Sequence, residues 1–199
     1  MTARPRRTAI FGGSFNPIHL GHIGLARQVL AQGLTDDVWL MVSPRNPLKP
    51  QAGLLGEAER LALARKAVAD TPGIQASDYE FRLPRPSYTW RTLRALRSEY
   101  GTERTFALVI GSDNWAAFSR WAHSDELLSR YRIIIYPREG FPADPAALPA
   151  NATLLRAPLY PYSSTDVREA ARSGADITQM VPQSIAADVR RLYGGKPNP

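Results

Sequence analysis

The chain has 199 residues, of which 44% are hydrophobic and 22% charged, the proportions of an ordinary folded domain. Its 14 glycines and 17 prolines fall short of the roughly 25–30% that marks collagen-like or low-complexity chains. There is no cysteine, which excludes a disulfide scaffold, a thiolate zinc site and a cysteine nucleophile, and makes a reducing cytoplasm the expected compartment.

The net charge is +7, and only Lys49, Lys66 and Lys196 among the 25 basic residues are lysines. Scattered arginines of this kind fit a codon bias and favour anionic small molecules such as phosphates. No basic run interleaved with aromatics, and no zinc-finger or helix-turn-helix signature, supports a nucleic-acid partner.

Residues 1–7 read as a frayed arm, because the apolar stretch that follows, residues 8–13, is too short for the core of a signal peptide. Residues 8–11 (TAIF) open a series of unbroken apolar runs that continues at 38–42 (VWLMV), 105–110 (TFALVI) and 133–136 (IIIY). Unbroken rather than alternating apolarity predicts strands buried on both faces, as in a parallel sheet. Helical spacing lies between them, at Ile23, Ala26, Val29 and Leu30, then at Leu61, Ala64 and Val68, then at Leu93, Leu96 and Tyr100.

Residues 138–149 (REGFPADPAALP) have no period and predict a loop, expected to border the site and close over substrate. Residues 152–155 predict a further strand, Ser164 onwards a helix, and 185–193 a closing helix. No stretch of about 18 apolar residues exists to cross a membrane. The alternation predicts an α/β chain: a Rossmann-like three-layer sandwich with a mainly parallel central sheet and helices on both faces. Residues 1–199 are expected to form one domain, with 1–7 and 194–199 as flexible tails. Sheets of this kind bind ligands beyond the carboxyl ends of their strands.

The segment GGSFNPIHLGH, residues 12–22, lies between the first strand and the first helix. Gly12, Gly13 and Gly21 let a ligand approach the backbone, and His19 and His22 flank a helix start whose free N–H groups suit a polyphosphate. Packed or capping histidines are the alternative, but two of the three histidines in the chain fall in this one loop. No third ligand with recognisable spacing makes the pair a metal site. Neither G-x-x-x-x-G-K-[ST] nor G-x-G-x-x-G is present after the first strand, so Walker-type and hydride-transfer readings lose their support.

A second cluster, YSSTDVR at 162–168, offers Ser163, Ser164 or Thr165 as helix cap and Arg168 one turn along, either a second anion site or an ordinary capped helix. In a third, GSDNW at 111–115, Asp113 can take ribose hydroxyls at a strand end. Trp115 or Trp121 can stack on a heterocycle or serve the core equally well.

Taken in order, these clusters resemble the H-x-G-H nucleotidyltransferases, and most closely the bacterial nicotinate-nucleotide adenylyltransferases, from about Thr8 to Tyr193. GGSFNPIHLGH is similar to that family's opening motif, with Asn16 where many members have Asp. SPRNPLKP, residues 43–50, stands in place of its proline-rich loop, with Leu48 where a histidine is usual. PSYTWRTL at 86–93 is similar to its SYT-x-x-TL segment, GSDNWAAFSRW at 111–121 to its G-x-D-x(7)-W, and SSTDVR at 163–168 to its SST-x-x-R. Tyr162 replaces a more usual aliphatic residue.

The resemblance implies transfer of AMP from ATP to nicotinate mononucleotide, with Mg²⁺ accompanying ATP. It implies catalytic roles for His19, His22 and Arg168, and ATP or phosphate contacts from Gly12, Gly13, Ser14, Phe15, Gly21, Gly111, Asp113, Ser164 and Thr165. Nicotinate-nucleotide contacts are implied for Lys49, Ser87, Tyr88, Thr89 and Trp121. The rival readings are an adenylyltransferase for nicotinamide mononucleotide or phosphopantetheine, and a non-catalytic nucleotide-binding module. A homo-oligomer is compatible with the sequence.

Overall fold

The computed structural model describes residues 4–44 and 54–195. Six strands, β1 (Arg6–Gly13), β2 (Asp37–Val42), β3 (Ile74–Ser77), β4 (Arg104–Gly111), β5 (Arg132–Tyr136) and β6 (Ala152–Leu154), form one sheet in the order β3-β2-β1-β4-β5-β6. Every neighbouring pair is parallel. Among the described residues seven α-helices accompany them: α1 (Leu20–Ala31), α2 (Glu57–Val68), α3 (Thr89–Tyr100), α4 (Ser112–Ala116), α5 (Ser124–Arg130), α6 (Ser164–Ser173) and α7 (Gln183–Tyr193). None of the helices among the described residues is long and apolar enough to cross a membrane.

The unbroken apolar runs are explained by two cores, one on each face of the sheet. Ala9 and Phe11 of β1, Leu40 of β2, Val109 of β4 and Ile134 of β5 meet α1, α2, α6 and α7 on one side. Ile10, Met41, Leu108, Ile133 and Ile135 meet α3 and α5 on the other. Because successive side chains point to opposite faces, a strand covered on both sides has no polar position to spare.

Three boundaries differ from the sequence reading. The arm expected over residues 1–7 ends sooner, since Arg6 and Arg7 already belong to β1. Asp36 accepts from the backbone N–H of Arg7 at 2.9 Å and from its guanidinium at 2.8 Å, while Arg6 pairs with Asp37 at 2.8 Å. The edge strand β3 (IQAS) had no apolar run to announce it, and only Ile74 of its four residues is buried. β6 stops at Leu154, although the N–H of Leu155 still donates to Ile135 O at 2.7 Å.

Strand order reverses between β1 and β4. The chain leaving β1 turns towards β2, and the chain leaving β4 turns towards β5, so a crevice opens at the carboxyl ends of these two strands.

Candidate active site

The β1–α1 connection is held from within by Phe15. Its backbone takes the left-handed conformation (φ 45°), and its ring, 1% exposed, packs edge-on to Phe11 and His22 with centroids 6.1 and 4.9 Å away. A Cβ on Gly13 would stand 3.1 Å from that ring. The phosphate contact expected of Phe15 can therefore come only from its main chain. A Cβ on Gly12, by contrast, would meet nothing within 4 Å, so protein packing alone gives no reason for a glycine there.

His19 is the N-cap residue of α1 and His22 its third residue. The His19 N–H donates to Nδ1 of His22 at 3.3 Å, and the two rings lie 3.7 Å apart, tilted by 32°. His22, accepting through Nδ1, carries its proton on Nε2 when neutral. His19 is 6% exposed, and among the described residues its Nδ1 has no hydrogen-bond partner. Burial, with the charge of Arg138 adding to it, lowers the His19 pKa to about 4, and Asp166 opposes the shift. The pair caps a helix and leaves His19 with a buried polar atom whose desolvation costs about 1–3 kcal/mol unless something meets it.

The helix α6 closes the loop from above. Ser163 is the cap, accepting from the N–H groups of Thr165 (3.2 Å) and Asp166 (3.4 Å). Ser164 is therefore not the cap, and its hydroxyl donates to Pro17 O at 2.9 Å. Arg168 donates to Asn16 O (2.7 Å), Ser164 O (3.1 Å) and Thr165 Oγ1 (3.1 Å), which brings the start of α6 against the β1–α1 connection. Asn16 Oδ1 accepts from Tyr193 Oη at 2.6 Å and from the Leu55 N–H at 3.2 Å, a task that needs oxygen but no negative charge.

Tyr162 meets the His19 ring edge-on at 5.6 Å. A Cβ on Gly21 would press on His19 at 3.0 Å and on Tyr160 at 3.2 Å, while one on Gly24 would fall 1.9 Å from the Tyr160 hydroxyl. Gly24 is a requirement that sequence reasoning missed.

On the β4 side, a Cβ on Gly111 would overlap Asp113 Oδ1 at 2.2 Å. Asp113 stands 3.9 Å from Arg138, whose N–H donates to Ser112 Oγ at 2.9 Å. The loop after β5 therefore begins against the Ser112–Asp113 turn. With Leu154 and Ala157 it encloses a cavity of about 410 Å³, at which Phe141 and Leu159 stand 46% and 56% exposed.

The remaining residues divide. Ser87 and Tyr88 precede α3 and Thr89 begins it, with no side-chain cap from Tyr88. Trp121 is half-buried, its ring 5.4 Å from that of Phe118, on which Trp115 stacks at 5.3 Å. Both indoles rest against the α3-side core. Leu48 and Lys49 lie outside the described residues. Sequence reasoning also missed Arg60, fully buried in α2, and Glu80, 5% exposed beside α3. A charged residue four positions before Ala64 and seven before Ala67, on the apolar face of α2, was the available signal for Arg60.

The cytidylyltransferase-like family model matches residues 10–170. A "Probable nicotinate-nucleotide adenylyltransferase" of Bacteroides fragilis is 48% identical, covering 90% of this chain and 89% of its own. One of the same name from Bacteroides thetaiotaomicron is 46% identical over 92% and 91%. Among solved structures, the Plasmodium falciparum nicotinic acid mononucleotide adenylyltransferase complexed with NaAD superposes with a TM-score of 0.76 at 19% identity, covering 94% of this chain and 96% of that one. That likeness speaks for the fold, and the relatives speak for descent: the chain belongs to the cytidylyltransferase-like family, in the company of the nicotinate-nucleotide adenylyltransferases.

Proposed function

We propose that the chain transfers the adenylyl group of ATP to the phosphate of nicotinate mononucleotide, giving deamido-NAD and pyrophosphate. The observation that carries this is the His19–His22 pair in ring contact at the start of α1, with His19 Nδ1 buried and, among the described residues, without a hydrogen-bond partner, and the N-terminus of α6 latched onto the same loop. Such a cradle of N–H groups, imidazoles and a guanidinium suits the phosphates of a nucleotide. The names of relatives sharing nearly half the sequence support the acceptor.

An acceptor phosphate oxygen attacks the α-phosphorus, a new P–O bond forms, and the bond to the bridging α–β oxygen breaks with its electron pair leaving on pyrophosphate. The phosphate is already anionic at neutral pH, so no general base is needed. His19, with its pKa near 4, is neutral there and contributes hydrogen bonding rather than charge. Positioning and stabilisation of charge on the transferring group are the protein's contribution.

In this scheme the main chain at Gly12, Gly13 and Ser14, with His19 and His22, meets the ATP phosphates. Asp113 takes the ribose, and Ser164, Thr165 and Arg168 face the departing pyrophosphate. The first turn of α3, at Thr89, offers N–H groups to the nicotinate carboxylate beside Ser87 and Tyr88, because the leading amides of a helix have no partner within it. Trp121 supplies an aromatic face for the pyridine. Mg²⁺ enters as part of the ATP substrate, held by phosphate oxygens and water.

Mass-resolved product formation from ATP and Mg²⁺, with nicotinate mononucleotide, nicotinamide mononucleotide and phosphopantetheine in parallel, tests this. Deamido-NAD is the expected dominant product. A different adenylylated product moves the acceptor, and no pyrophosphate from any mixture overturns the chemistry.

A further inference from the structure

Tyr193 is the last residue of α7 and buried. Its hydroxyl donates to Asn16 Oδ1 at 2.6 Å, across 177 residues of chain. Burial pushes the Tyr193 phenol up from its ordinary value, so it keeps its proton, and stays a donor, at neutral pH. The ring belongs to the same core as Ile185 and Val189, a place that a phenylalanine would fill as well. What the hydroxyl adds is its bond to the β1–α1 connection.

Asn16, 6% exposed, is the middle of a brace built from direct hydrogen bonds. Its Oδ1 accepts a second time, from the Leu55 N–H at the entry to α2 (3.2 Å). The carbonyl of Leu55 accepts from Nε of the fully buried Arg60 at 2.9 Å, and the same guanidinium reaches on to Ser14 O, to Ser43 O (3.0 Å) and to Pro44 O (3.2 Å). A lysine would bring the charge but one nitrogen, which cannot span those directions. From the other side, Asn16 O accepts from Arg168 at 2.7 Å and Pro17 O from Ser164 Oγ at 2.9 Å. A ring of contacts therefore runs from Ser14 through Arg60 and Leu55 to Asn16, with α6 attached by Arg168 and α7 by Tyr193.

Asn16 stands two residues after Ser14 and three before His19, and its carbonyl holds the guanidinium assigned above to the departing pyrophosphate. Removing the Tyr193 hydroxyl takes away the shorter of the two Oδ1 bonds and lets the Asn16 side chain follow Leu55 alone. We propose that Tyr193 is a positioning residue for adenylyl transfer, setting through Asn16 the place of the loop that carries Ser14 and His19 and of the Arg168 guanidinium. It touches no substrate. The inference rests on the adenylyltransferase reading, because small displacements of these donors are felt in the rate only where charge shifts on the transferring and departing phosphates.

The test is steady-state kinetics with ATP, Mg²⁺ and nicotinate mononucleotide for the unaltered chain, Tyr193→Phe, Asn16→Leu, the double variant and Ile185→Val, alongside thermal unfolding of each. Tyr193→Phe is expected to lower kcat about three- to tenfold, the scale of one neutral hydrogen bond, with the KM of each substrate within about threefold of the unaltered chain, as positioning without binding requires. Asn16→Leu removes the acceptor and is expected to lower kcat further. In that background Tyr193→Phe changes kcat no more, since the hydroxyl has lost the group it acts on. Ile185→Val trims the same helix at a fully buried position; it lowers the unfolding temperature and keeps normal kcat.

Normal kcat in Tyr193→Phe overturns the inference, as does a loss confined to KM, an equal loss of kcat in Ile185→Val, or a further loss when Tyr193→Phe is added to Asn16→Leu. If only one of Tyr193→Phe and Asn16→Leu folds, that variant against Ile185→Val decides: the expected loss of kcat supports the inference and normal kcat overturns it. If neither folds, the contact serves stability and the inference is overturned. Absence of product from the unaltered chain overturns the adenylyltransferase reading, and the inference with it, whereas the other results strike the inference alone.

Discussion

Acid titration isolates the cost of holding His19 neutral in its buried place. In the unfolded chain an imidazole takes up a proton near pH 6.5, whereas in the folded protein burial and Arg138 delay this to about 4. Between those values the unfolded state binds more protons, so stability rises with pH. The stability is whole above about pH 6.5, declines as pH falls through the window, and levels off below about 4. Each tenfold change in proton affinity is about 1.4 kcal/mol, so the loss across the window is at most about 3 kcal/mol. A domain holds only about 5–15 kcal/mol in total, which makes such a loss visible.

His19→Asn keeps a side chain able to cap a helix and cannot titrate. Urea unfolding of both proteins between pH 7.5 and pH 3.5 is expected to show the unaltered protein losing up to about 3 kcal/mol more than the variant. Asp36 and Asp166, held below the usual carboxylate range by Arg7 and Arg4 and by Ser163 respectively, are present in both proteins. A proton NMR titration locates the His19 inflection near 4, and ATP is expected to raise it, since phosphate beside the ring favours the charged form. Parallel stability curves, or an inflection near 6.5, would refute the burial argument.

Three substitutions probe the rest of the site. His22→Ala is expected to lose about 10²–10³ in kcat, the scale for removing one donor aimed at developing charge, with an intact fold by circular dichroism. Gly111→Ala forces Asp113 Oδ1 away from the 2.2 Å overlap and presses on Arg138 Cγ and Tyr136 Cζ at 3.0 and 3.1 Å; KM for ATP is expected to rise, and the unfolding temperature to fall slightly because the Tyr136 ring must also give. Gly24→Ala drives a methyl into the Tyr160 hydroxyl and is expected to cost about 1–3 kcal/mol, the usual range for overpacking. Adding Tyr160→Ala should return part of that loss, and a double-mutant cycle with no coupling would count against the contact.

Much of the architecture was legible because it is local in the chain. Runs such as VWLMV and IIIY are apolar at consecutive positions, and only a strand covered on both faces requires that. The glycine-rich connection and Gly111–Asp113 were likewise recognisable from residue type and their place at strand ends, and Ser163–Arg168 from its capping residues at a helix start. β3 was not, since an edge strand with one buried residue leaves almost no apolar imprint. Arg6 and Arg7 looked like part of a charged arm because their partners, Asp36 and Asp37, come some thirty positions later. Arg60 and Gly24 escaped for the same reason: what they satisfy, the carbonyls of Ser14 and Ser43 or the ring of Tyr160, lies in other segments of the chain.

The same non-local logic explains why residues so far apart belong to one site. The chain from Asn16 to His19 is buried yet neither helix nor strand, so its carbonyls need donors from elsewhere. Ser164 and Arg168 supply them across 147 and 152 residues, and Arg60 supplies Ser14 from the opposite side. The side chains that look like ligand-binding signatures therefore act first on the protein's own backbone. They hold in place a loop whose glycines and histidines could not keep their arrangement by local forces, and the phosphates of a nucleotide would meet an arrangement already set, which is the condition under which fixed dipoles stabilise developing charge without reorganising.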